Sequence, residues 1–190
     1  MEAKVNDIEV VAGKWLVASS AGIFTSSDDG RSWQGGPVLG RTDFVSAQSS
    51  GGALVAATHT EILISVDEGA NWRVIHLPVQ INSARSLALT PEGSILVASK
   101  GGGLRTSDAG ETWKHMSNGL PDRDLSSISY DDSARVLLVT SLASGVVFSS
   151  NDGGGSWLAI ANLGYPLRQV IAAHGRLLAA TLFDGVMAQQ

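Results

Sequence analysis

The amino-acid sequence predicts an all-β fold, a β-propeller of four-stranded antiparallel blades. Three observations lead there. A turn motif returns about every forty residues along most of the chain, and a short apolar run of β-type residues precedes each copy. No segment carries the 3.6-residue apolar period with caps that would mark a helix.

The motif residues come first. Ser26, Asp28, Gly30 and Trp33 form one copy, and Ser65, Asp67, Gly69 and Trp72 the next. Thr106, Asp108, Gly110 and Trp113 follow, then Ser150, Asp152, Gly154 and Trp157. Each copy fits Ser/Thr-x-Asp-x-Gly-x-x-Trp, and the aspartates stand 39, 41 and 44 residues apart. Upstream lie Leu16–Ser19, Leu54–Ala57, Leu96–Ser99 and Leu137–Thr140, with a fifth run at Leu178–Thr181. They are apolar on both faces, as strands covered on both sides must be. A second strand separates each run from its motif: Gly22–Thr25, Ile62–Ile64, Leu104–Thr106 and Val146–Ser149. A polar, turn-rich segment after each tryptophan leads to a further strand, such as Arg85–Leu89 or Leu125–Ser129.

The unit is therefore four short strands in about forty residues, the length of a propeller blade. A sheet that small cannot bury both faces alone; stacking copies around an axis buries them. A β-solenoid is the runner-up, but its repeats run to roughly 20–30 residues. The expected organisation is one domain, residues 1–190, with blades near 7–40, 41–81, 82–122, 123–166 and 167–190. Gly185–Gln190 aligns with Gly22–Ser27, so the fifth blade is expected to lack its outer strand. The residues before Ile8 are too few to mend it, because the return to the axis crosses about 14 Å, three strand spacings of roughly 4.8 Å. A five-bladed ring with one incomplete blade is expected. The alternatives are a piece of a larger propeller, or a homo-oligomer joined through the open edge of the last blade.

The motif chemistry suits a tight hairpin between third and fourth strands. The aspartate is expected to accept hydrogen bonds from backbone N–H groups one or two residues on. The glycine supplies positive φ, and the tryptophan opens the outer strand with its ring folded over the turn. The Ser or Thr hydroxyl is placed to join the same network. Calcium is the rival reading, but it requires about six to eight oxygens, and each motif offers one or two carboxylates. No metal is expected.

Composition narrows the partners. The formal charge of −5 argues against nucleic acid, which needs a basic face. The absence of cysteine removes disulfides and thiolate chemistry. The segment Met1–Asp7 shows no basic stretch followed by an apolar run, so no signal peptide is expected. No run approaches the roughly 18 apolar residues of a membrane span. The expectation is a soluble chain with no membrane partner, with the compartment open, including export as part of a bacterial protein.

These motifs resemble the BNR or Asp-box repeats of the sialidase superfamily, which occur also in sortilin-like receptors, some glycoside hydrolases and photosystem II assembly-factor-like proteins. The resemblance spans about Ile8 to Met187. It implies a propeller with the boxes on its rim, away from the ligand face, and it implies no single function. The features by which sialidases resemble one another are missing. There is no Phe-Arg-Ile-Pro motif, and neither Tyr130 nor Tyr165 comes with a motif-placed glutamate. The chain is also short for the six blades of a catalytic sialidase. No carboxylate pair for glycoside hydrolysis can be singled out. His59, His76, His115 and His174 show no metal-ligand spacing. No catalytic residue and no cofactor are expected.

One pattern carries a functional reading. Counting back from the first apolar residue of the inner strands brings Arg85, Arg123 and Arg168 to equivalent places. Arg41 falls one residue off, and Asn6 takes the place in the first blade. Inner strands line the axis, so these entries would form a positive collar able to bind carboxylates or phosphates. The plainer reading is that each arginine covers apolar surface with its stem and caps loop carbonyls. The expected function is a non-catalytic binding or scaffold propeller recognising a protein or glycan through one face. The alternatives are a fragment or remote relative of a glycoside hydrolase, and an assembly-factor scaffold.

Overall fold

The computed structural model describes residues 3–11, 13–78, 81, 83–116, 118–120, 123–173, 175–183 and 185–188. Among them every regular element is a strand, and the strands form five antiparallel sheets, the blades of a five-bladed β-propeller. The chain divides into two compact units, Met1–Val79 and Gln80–Gln190.

The first unit holds two blades. Blade 1 is β1 (Val5–Val11), β2 (Lys14–Ser19), β3 (Gly22–Ser26) and β4 (Gln34–Gly36). Blade 2 is β5 (Ser46–Ser50), β6 (Ala53–Ala57), β7 (Glu61–Ser65) and β8 (Arg73–His76). The second unit holds three. Blade 3 is β9 (Ala84–Leu89), β10 (Ile95–Ser99), β11 (Gly102–Thr106) and β12 (Lys114–Met116). Blade 4 is β13 (Leu125–Asp131), β14 (Val136–Ser141), β15 (Val146–Ser150) and β16 (Leu158–Asn162). Blade 5 is β17 (Leu167–Ala173), β18 (Arg176–Thr181) and β19 (Val186–Ala188), three strands among the described residues. Every sheet pairs its strands in chain order, so hairpins alone build it.

Alternation along each strand decides what packs where. In unit one, Leu16, Ala18 and Ile23 point from blade 1 onto Phe44, Ala47, Ala56 and Leu63 of blade 2. In unit two, Ala88, Leu96, Ala98 and Met116 of blade 3 meet Leu125, Ile128, Leu137, Val139, Phe148 and Trp157 of blade 4. The opposite face of blade 4 brings Leu138 and Val147 onto Leu167, Val170 and Ala179 of blade 5. The middle strands of blade 4 are therefore sealed on both sides, and all five residues of β10 are buried.

Neighbouring inner strands are tied by side chains instead of a backbone ladder. Ser86 Oγ donates to the Ile128 carbonyl at 3.0 Å and accepts from the Ile128 N–H at 3.2 Å. Ser129 Oγ donates to the Val170 carbonyl at 2.9 Å. Between blades 1 and 2 carboxylates take over. Asp7 accepts from Ser46 Oγ at 2.6 Å and from the Ala47 N–H at 3.2 Å, and Glu9 accepts from the Ser49 N–H at 2.6 Å.

The motif tryptophans measure how well each blade is covered. Trp157 is 3% exposed within the core between blades 3 and 4, whereas Trp33 is 42% exposed and meets Trp15 edge-on at 6.4 Å. Trp157→Ala is expected to cost about 3–5 kcal/mol. Trp33→Ala should cost clearly less, since 42% of the residue's surface already lies in water. Urea unfolding of the two variants checks the ratio; equal losses would contradict the packing described.

Candidate functional site

The four boxes share one hydrogen-bond circuit. The hydroxyls of Ser26, Ser65, Thr106 and Ser150 donate to Oδ1 of Asp28, Asp67, Asp108 and Asp152 at 2.8, 2.7, 2.6 and 2.7 Å. Each hydroxyl in turn accepts from the N–H of Gly30, Gly69, Gly110 or Gly154, at 3.0, 2.8, 2.9 and 2.8 Å. The aspartates reach further than one or two residues. Oδ1 takes the backbone N–H four residues on, at Ser32, Asn71, Thr112 and Ser156, and Oδ2 takes the side-chain donor of the same residue. The longer reach follows from the turn itself, whose two residues after the aspartate both adopt positive φ, as at Asp29 (57°) and Gly30 (79°). The residue before each tryptophan was thus part of the motif. Its signal was present in the sequence, since Ser, Asn, Thr and Ser all carry a donor.

This circuit holds the carboxyls well below the ordinary Asp value of 3.8. The bonds from Ser32 lower Asp28 to about 2, those from Asn71 lower Asp67 to about 2, and those from Thr106 and Thr112 lower Asp108 to about 2. Asp152 is pushed down as well, chiefly by Ser156. Folded carboxyls that titrate below unfolded ones contribute stability that is complete above about pH 4 and fades as pH falls toward 2. Asp7 opposes this, because burial raises it despite its bonds to Ser46 and Ala47. Melting temperatures between pH 6 and pH 2 are expected to fall, with a shallower fall in Asp67→Asn and Asp108→Asn. A slope unchanged in both variants would show that the boxes do not set acid stability.

The arginines occupy less equivalent places than counting back suggested. Strand registers carry a bulge at Asn6, Arg85, Ser126 and Arg168, so these four positions correspond. Arg123 stands three residues before Ser126, ahead of β13, and Arg41 lies in a separate turn bridged to Val38. A bulge adds a residue that no count from the first apolar side chain can see.

Their environments differ too. Arg41 lies in unit one, where it grips Glu61 through two bonds of 2.8 and 3.0 Å and donates to the Leu39 carbonyl at 2.8 Å. That bond pushes the guanidinium up and holds Glu61 below its usual range. In unit two, β13 lies between β9 and β17, so Arg85, Arg123 and Arg168 belong to three adjacent inner strands or their entries. Arg85 bonds Asp124 Oδ1 at 2.6 Å and the Leu125 carbonyl at 3.0 Å. The stem of Arg123 lies over Gly102, and Arg123 and Arg168 are exposed.

The remaining candidates fall elsewhere. Tyr130 packs against the blade 3–4 core, and Tyr165 is 45% exposed. His76 meets Glu61 at 3.3 Å, and His174 lies outside the described residues. Among the described residues no cluster of three His, Asp or Glu side chains is disposed to hold a metal, and no helix is long and apolar enough to cross a membrane.

No family model and no curated protein matches the sequence. Solved structures do match. YCF48 bound to D1 peptide is similar over 99% of this chain and 64% of that one, with a TM-score of 0.68 at 13% identity. A GH74 xyloglucanase from Xanthomonas campestris is similar over 100% of this chain and 30% of its own, with a TM-score of 0.75 at 23% identity. A chain of the nidogen/laminin complex is similar over 98% and 70%, with a TM-score of 0.74 at 14% identity. This chain therefore spans under two thirds of YCF48 and under a third of the xyloglucanase. At such identities the likeness is one of fold, and it is to β-propellers of diverse purpose that this chain is similar.

Proposed function

We propose that this chain is a non-catalytic propeller of the BNR or Asp-box kind that binds a carboxylate-bearing segment of a protein partner. The observation that carries the reading is the placing of Arg85, Arg123 and Arg168 on three adjacent inner strands or their entries, two of them exposed. Guanidiniums pair with carboxylates through directed, charge-assisted bonds, and Asp124 already shows that geometry on Arg85. The box aspartates are consumed by turn hydrogen bonds, which leaves them poor candidates for acid or base work. Structural likeness to YCF48, solved with a peptide, and to a chain of the nidogen/laminin complex supports a protein partner.

A glutamate-rich peptide, followed by fluorescence anisotropy, tests the proposal. Combined replacement of Arg85, Arg123 and Arg168 by Ala is expected to weaken binding by at least about tenfold, a change worth about 1.4 kcal/mol. Added salt should weaken it in the parent chain. Unchanged affinity in the triple variant overturns the arginine site. A glycan array and fluorogenic glycosides separate the remaining readings, since sugar capture or turnover would replace the protein-binding proposal.

A further inference from the structure

A groove of about 420 Å³ opens in unit one between the outer strands of blade 1 and the box turn of blade 2. Its walls include Thr25, Gly36, Leu54, Glu68, Gly69 and Trp72. Strand register gives each of these a counterpart in the packing of blade 3 on blade 4. Gly36 pairs with Ile23 as Met116 pairs with Gly103, and Thr25 stands two residues beyond Ile23 as Arg105 stands two beyond Gly103. By motif position, Glu68, Gly69 and Trp72 match Gly153, Gly154 and Trp157, and Leu54 matches Leu137.

The counterpart is filled and latched. Met116 is 1% exposed, and its sulfur lies 2.7 Å from where a Cβ on Gly154 would stand. Arg105 crosses the rim to donate to the Gly153 carbonyl, with the Asp152 carbonyl at 3.5 Å. Leu137, Gly154 and Trp157 are all buried beneath them. In unit one both pieces are absent. A Cβ on Gly36 would meet nothing within 4 Å, and Thr25 is too short to latch, so Leu54, Gly69 and Trp72 are left half-buried. The rim is acidic where Gly153 has no side chain: the Glu68 carboxylate stands there, met among the described residues by an exposed Lys14 at 3.2 Å.

We propose that this groove is a docking site for a protein partner that inserts an unbranched apolar side chain, methionine foremost, and an adjacent arginine. The methionine runs over Ile23, which stands where Gly103 leaves room for the Met116 methyl, and lies against Leu54, Gly69 and the Trp72 ring. The arginine takes the place of Arg105, meeting the Glu68 carbonyl and its carboxylate. An acidic rim on a chain of net charge −5 favours such a basic segment. Its residues include none of the arginines at the inner-strand entries, and it selects segments of the charge opposite to those the arginines would take.

The full chain, labelled with ¹⁵N, would be titrated with N-acetyl-Met-Gly-Arg amide and N-acetyl-Met-Gly-Glu amide while the Trp72 indole N–H is followed. A saturable shift with the arginine peptide is expected, of roughly millimolar affinity, and severalfold weaker with the glutamate peptide. Thr25→Arg replaces an exposed residue and rebuilds the latch, so it should weaken binding about tenfold or more. Glu68→Ala, a residue that Ala109 already supplies at the same turn position, should erase the preference for arginine. No saturable shift, or affinity untouched by Thr25→Arg, overturns the proposal. A Trp72 shift that depends on protein concentration without peptide overturns it in favour of a second copy as occupant.

Discussion

Short strands with apolar side chains on both faces leave a sheet with two surfaces to hide, and this need shapes most of the molecule. Four strands at about 4.8 Å spacing make a patch too narrow to fold over on itself. Within each unit a blade therefore uses its neighbour as its cover. Leu138 and Val147 face one neighbour, while Val139 and Phe148, one residue along, face the other. The apolar character of these positions is a requirement of stacking, and it explains why β10 is buried throughout while outer strands such as β16 are mostly exposed.

Much of this was legible in the sequence. Repeated Leu-Val-Ala runs and evenly spaced tryptophans required small stacked sheets, and the fifth sheet has three strands among the described residues, as expected. What could not be read was anything depending on register. Arg123 and Arg85 looked equivalent until the bulge at Ser126 showed otherwise, because a bulge alters pairing and leaves composition untouched. The fourth box donor at Ser32, Asn71, Thr112 and Ser156 was visible as a polar position. It had no assigned partner, because the reach of the aspartate depends on two successive positive φ angles. The groove beside Gly36 was hidden for the same kind of reason, since only alignment of β4 with β12 reveals that a glycine replaces a methionine.

The boxes close each outer hairpin at the surface, where a bare turn would be loose. A hydroxyl and a carboxylate recruit backbone N–H groups that the positive-φ turn would otherwise leave to water. Tryptophan then lays its ring beside the glycine: Trp72 donates from Nε1 to the Gly69 carbonyl at 2.9 Å. In two other boxes the buried indole N–H groups of Trp113 and Trp157 lack a partner among the described residues, so burial of ring area outweighs a lost bond there.

The serine ties between inner strands have a mechanical consequence. Within a sheet, neighbouring strands are stitched by backbone ladders; from blade 3 to blade 4 to blade 5, hydroxyl bonds, the guanidinium bonds of Arg85 and Arg105 and side-chain contacts hold adjoining sheets. Tension along this row would part sheets before it frayed any one of them. The material is anisotropic: tough in the plane of a blade, and cleavable between blades like a layered crystal.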